Sequence, residues 1–252
     1  MQLVILTALG VGCATVIGAA IGFLFKGIPH RFQDGILGFA AGVMLAAAVM
    51  GLILPAVETG GSGGVWIAAA GIIVGALFLN LIDRFTPHLH HIAGLGNEEA
   101  HDNPCGADKV LLFVMAIAIH NLPEGIAAGV SFGTGNIGDA LSVAGGIALQ
   151  NIPEGMVIIS PLLCAGVKKG RTFAIASFTG LVEVVGTLLG YMAIQVATAI
   201  LPFALAFAGG TMLYVISDEM IPETHSHGYE RLATYSLLIG FIVMMVMDFY
   251  LG

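Results

Sequence analysis

Lys109–Phe132 reads KVLLFVMAIAIHNLPEGIAAGVSF. The run is longer than the roughly 20 apolar residues needed to cross a hydrocarbon core, yet it carries His120 and Glu124 with Pro123 between them. The same pattern returns within the next apolar run, where His120-Asn121-Leu122-Pro123-Glu124-Gly125 is echoed by Gln150-Asn151-Ile152-Pro153-Glu154-Gly155. Consecutive membrane spans run in opposite directions, so the two copies form an inverted repeat about an axis in the membrane plane. Such repeats, with proline and glycine inside the helices, point to where a membrane protein builds a binding site.

Working outward, 58% of the 252 residues are hydrophobic and 10% are charged. A soluble domain carries about 25% charge, so most of this surface faces lipid. The 36 glycines suit close approach of transmembrane helices. Apolar runs long enough to span predict eight helices, at about 2–25, 34–57, 65–86, 108–132, 138–164, 172–197, 202–221 and 231–251. All eight Lys and Arg (Lys26, Arg31, Arg84, Lys109, Lys168, Lys169, Arg171 and Arg231) then fall on one face of the membrane. The positive-inside rule makes that face cytoplasmic and puts both termini outside. The expected fold is an all-α membrane protein of eight transmembrane helices with an inverted repeat, one transmembrane domain over residues 1–252. The first run lacks a basic leader and reads as a retained helix. Cys13, Cys105 and Cys164 are far apart, with no CxxC, and suggest neither a disulfide framework nor a structural zinc knuckle.

Ionisable groups inside a bilayer are costly and mark function by default. His120 lies about 11 residues beyond Lys109, near 16 Å in at about 1.5 Å per residue. Gln150, Glu154, Glu183 and Met44 fall at similar depth on their own spans. His120 and Glu124 are at i and i+4 and share a face, as do Gln150 and Glu154. Pro123 and Pro153 deprive the carbonyls of Ile119 and Leu149 of their helical partners. Imidazole, carboxylate and thioether together favour a transition metal over magnesium or calcium. Asn121, Asn151 and Glu183 leave room for a second metal, with Glu124 or Glu154 bridging.

Outlying groups suggest a path. Glu58 and Asp248 near the outer ends of their spans are positioned as an entrance. Asp83, Asp218, Glu219, Glu223, His225 and His227, at the cytoplasmic ends, are positioned as an exit. The cytoplasmic loop 87–107 holds His88, His90, His91 and His101 beside Glu98, Glu99 and Asp102. It reads either as a solvated connector or as a metal-catching loop.

These residues resemble the ZIP (Zrt-, Irt-like protein) metal transporter family, in its bacterial GufA-like branch. The resemblance rests on HNLPEG, the related NIPEG, Glu183, AAGVM at 40–44 and SDEMIPETHSHG at 217–228. It implies uptake of zinc, and of cadmium, iron or manganese, toward the cytoplasm as transported substrate rather than cofactor. It also implies an elevator in which spans 1, 4, 5 and 6 slide against 2, 3, 7 and 8, in a multi-pass protein of the plasma (inner) membrane. The family positions of the metal centre match Met44, His120, Asn121, Glu124, Gln150, Asn151, Glu154 and Glu183, a set that many relatives fill with His at 150 and some bacterial ones with Asp at 151. The expected partners are divalent metal ions and the bilayer, with a homodimer plausible and no nucleic acid.

The alternatives are a selective metal channel and an intramembrane metalloenzyme. The enzyme reading lacks HExxH and any second histidine within a span, and no Walker A motif suggests ATP use. A non-enzymatic carrier is therefore expected.

Overall fold

The computed structural model describes residues 1–25, 29–85, 107–164 and 166–252, and the side chains of all but 83–85 and 107–117 among them. The described residues are helical, with no strand. The first helix, α1, spans Gln2–Gly22. Span 2 is one continuous rod built from α2 (His30–Ala46), a π-helical segment (Ala47–Ile53) and α3 (Leu54–Thr59). Then follow α4 (Gly64–Phe85), α5 (Ala107–Ser131), α6 (Ile137–Cys164) and α7 (Lys169–Val196). A second composite rod joins α8 (Leu201–Val215), a π-helical segment (Ile216–Met220) and α9 (Ile221–Thr224), and α10 spans Glu230–Leu251. Seven stretches of described residues are long and apolar enough to cross a membrane, and α5, with 25 residues, lies outside that count. The chain is a multi-pass membrane protein.

The second span begins at His30 rather than at 34, because Pro29 starts the helix through a polar first turn that hydropathy does not register. The loop 87–107, with its four histidines and Cys105, lies outside the described residues apart from the first residue of α5, and so does the side chain of Asp83. Cys164 is disulfide-bonded, a pairing that the cysteine spacing did not announce.

Both π segments end just before a proline, Pro55 or Pro222. A proline ring clashes with the carbonyl four residues back and leaves it without a donor. Widening the turn relieves this: the Leu54 amide bonds the Val49 carbonyl and the Ile221 amide bonds the Ile216 carbonyl, both five residues back. Pro123, Pro153 and Pro161, by contrast, sit within helices that continue through them.

The helices pack as two bodies. In one, α1 lies against α6 and α7, and α5 lies against α7. In the other, α2 pairs with α10, and α4 with α8. The seam between them runs where α2 and α10 meet α6, and where α5 meets α8. Glycine sets the closeness within the first body. A Cβ at Gly125 would fall 2.9 Å from the Cα of Glu183, and one at Gly155 would fall 2.9 Å from the Ala19 amide nitrogen. Only a residue without Cβ lets these backbones meet.

Candidate metal centre

His120 and Glu124 project from one face of α5 and Glu154 from α6, and they bring one ligand atom each within 4.8 Å of one another. Nε2 of His120 lies 3.4 Å from Oε1 of Glu124. The Gln150 amide donates to the same oxygen at 2.7 Å, so the two motif copies interlock at Glu124. On its other side, Nδ1 of His120 lies 3.6 Å from Oε2 of Glu219. Hydropathy alone assigns Glu219 to the exit. The structure puts it beside His120, on the π segment of the second composite rod, where the widened turn departs from helical periodicity.

Glu183 belongs to an adjoining group, not to the three-residue cluster. Its Oε1 accepts hydrogen bonds from the Asn121 amide at 2.5 Å and the Thr15 hydroxyl at 2.9 Å. Its Oε2 accepts from the Asn151 amide at 2.6 Å, and that amide also lies 3.3 Å from the Val11 carbonyl. Thr15, Asn121, Asn151 and Glu183 are essentially inaccessible to solvent. Met44 is fully buried in the core on α2, the helix that packs on α6.

The chemistry of what is left over is one-sided. Oδ1 of Asn121 and of Asn151, Oε2 of Glu124, Oε1 of Gln150 and Oε1 of Glu154 are all buried with no hydrogen-bond partner among the described residues. All five are acceptors. Buried polar atoms normally find partners, and a surplus of unpartnered oxygens beside an imidazole fits a cation, which satisfies several acceptors at once.

The outlying residues divide. Glu58 is exposed on α3. Asp248 accepts a 2.8 Å hydrogen bond from Ser142 and shares an electrostatic neighbourhood with Glu58 and Asp139. Asp139 escaped the sequence reading because it stands at the start of an apolar run, where a lone acid resembles a helix-end charge. Asp218 is exposed and Glu223 half-buried. His225 has both ring nitrogens engaged, Nδ1 at 2.9 Å from the Ile221 carbonyl and Nε2 at 3.3 Å from Thr234. It therefore closes the end of α9. His227 instead holds Asp34, Nδ1 to Oδ1 at 2.9 Å, and its ring stacks on His30. Asp34 and Thr15 are buried polar residues that the sequence reading missed. Asp34 stands at the edge of its apolar run, and Thr15 is indistinguishable by sequence from ordinary helix packing.

The fold and site define a class: a multi-pass helical membrane protein with a largely buried histidine–glutamate cluster between packed helices, a donor set that suits a metal ion. Residues 106–248 match the family model described as ZIP Zinc transporter. The chain is 40% identical over 249 residues to "Zinc transporter GufA" of Myxococcus xanthus, covering 96% of each chain. It is 39% identical over 255 residues to "Zinc transporter ZIPB" of Bordetella bronchiseptica, covering 95% of this chain and 78% of that one. Similarity reaches "Zinc transporter ZIP11" of Homo sapiens, at 34% over 321 residues and 94% of each chain. The chain belongs to the ZIP family, in agreement with the resemblance carried by its duplicated motif.

Proposed function

We propose that this protein carries zinc, and with it cadmium, iron or manganese, across the plasma (inner) membrane into the cytoplasm. The ion is held at mid-membrane by His120, Glu124 and Glu154, assisted by Gln150 and Met44. The observation that carries this reading is the convergence of those three side chains beside unpartnered acceptor oxygens. The names of the relatives support zinc as the substrate. Mixed imidazole and carboxylate ligands hold a transition metal without the closed thiolate shell of a structural zinc site, so the ion can leave.

The path runs from Glu58, Asp139 and Asp248, past the centre, to Glu219 and the acids beyond it. With eight spans and both termini outside, that direction is inward. An inside-negative potential then favours entry of a doubly charged ion by about 4.6 kcal/mol per 100 mV, twice the single-charge value.

The movement we propose is a slide of α1, α5, α6 and α7 against the rest. Within each body, backbones lie in glycine contact. At the seam, Gly51 meets the Val143 side chain and Gly146 the Met244 side chain, while Gly138 at the first turn of α6 meets the Leu251 carbonyl at the end of α10. Unbranched methionine re-packs readily, as a sliding surface requires.

The test is uptake of zinc and cadmium by protein reconstituted in liposomes. Saturable uptake is expected, with loss in His120→Ala and Glu124→Ala variants that keep their helical circular dichroism. Full uptake by both folded variants would refute the assignment of the centre.

A further inference from the structure

Gly12, Thr15, Gly18 and Gly22 on α1 have the same spacing as Gly180, Glu183, Gly186 and Gly190 on α7. The two series make matched contacts. A Cβ at Gly186 would lie 2.7 Å from the Leu122 carbonyl, and one at Gly18 would fall on the carbonyl of Ile152, the corresponding residue of the second motif copy. A Cβ at Gly190 would lie 2.5 Å from the Ile126 carbonyl, and one at Gly22 would lie 2.8 Å from that of Met156, again corresponding residues. Gly125 meets the backbone of Glu183, and Gly155 meets that of Thr15. Gly12 and Gly180 meet each other. The α1–α6 and α7–α5 pairs are thus two copies of one packing unit, and Thr15 occupies in the first the place that Glu183 occupies in the second.

The two equivalent residues touch, Thr15 donating to Glu183 at 2.9 Å. A carboxylate oxygen accepts and does not donate, so Asn121 and Asn151 both turn their amide nitrogens to Glu183. Each asparagine's oxygen is thereby turned away, and both of those oxygens are buried without a hydrogen-bond partner among the described residues. Both Glu183 oxygens are thus engaged, by three side-chain donors.

We propose that Thr15 is a positioning residue of the transport centre: with the asparagine amides it holds Glu183, and Glu183 fixes the side-chain oxygens of Asn121 and Asn151 as neutral acceptors for the ion. This rests on the reading that the centre is the transport site.

The test is zinc uptake in proteoliposomes by Thr15→Val, which keeps the shape and removes the donor, and by Thr15→Ser, which keeps the donor. The expected result for Thr15→Val is a KM raised about tenfold with Vmax within about twofold, the scale of one buried hydrogen bond to a charged group. Thr15→Ser is expected to restore the wild-type KM. A packing role predicts instead a lower melting temperature with KM unchanged in Thr15→Val, and that result overturns the proposal, as does a Thr15→Ser variant as impaired as Thr15→Val. Failure of the underlying reading is distinguishable: His120→Ala would then transport normally whatever Thr15 does.

Discussion

The side-chain amide of Gln150 on α6 donates a 2.7 Å hydrogen bond to Oε1 of Glu124 on α5, the same oxygen that lies 3.4 Å from His120. Glu124 is therefore oriented from both motif copies, whereas Oε1 of Glu154 has no hydrogen-bond partner among the described residues. The repeat is asymmetric where it matters, with a histidine in one copy and an amide in the other.

Replacing Gln150 by leucine removes that donor while keeping the bulk. Zinc uptake in proteoliposomes should show a KM raised about tenfold, the scale of one buried hydrogen bond to a charged group. An unchanged KM would mean that Gln150 only fills space.

Gly155→Ala drives a methyl group into the backbone of α1 at Thr15 and Ala19. Overpacking of this kind costs about 1–3 kcal/mol, so the melting temperature in detergent should fall. Gly10→Ala on the exposed side of α1, where a Cβ meets nothing within 4 Å, is the control and should hold or slightly raise the melting temperature, since alanine favours the helix over glycine.

A Cβ built at Gly51 would lie 3.7 Å from the Cβ of Val143 across the seam between the two bodies. That falls within the range a disulfide needs, about 3.5–4.5 Å. Gly51→Cys with Val143→Cys should cross-link on oxidation and stop zinc uptake, and reduction should restore it. Full uptake by the cross-linked protein would argue against relative sliding of the bodies.

Asp34 is fully buried, and His227 is the partner of its Oδ1. His227→Ala leaves that carboxyl without the contact and should cost about 1–3 kcal/mol. Asp34→Asn combined with His227→Ala should cost less than the two single changes added together, as expected for residues in contact. Thermal unfolding in detergent reads all three. Strict additivity would show that the pair is not coupled.

How much of this is legible in the chain follows from the range of each force. Apolar runs and the i, i+4 spacing of His120 with Glu124 are local, since a helix fixes which residues share a face whatever surrounds it. The duplicated motif thus announces the family, and which of its polar side chains share a face. What lies beyond local periodicity is how each helix is turned toward its neighbours. Glycine contacts with neighbouring backbones set that rotation, and they turn Glu183 to Thr15 and to the asparagine amides. A π turn forced by Pro222 carries Glu219 from the expected exit position to the side of His120. The sequence by itself determined the membrane-spanning helices and the chemistry held inside them. Only the tertiary structure decided which of those groups meet, because crossing geometry depends on missing side chains and widened turns that leave no periodic trace in the chain.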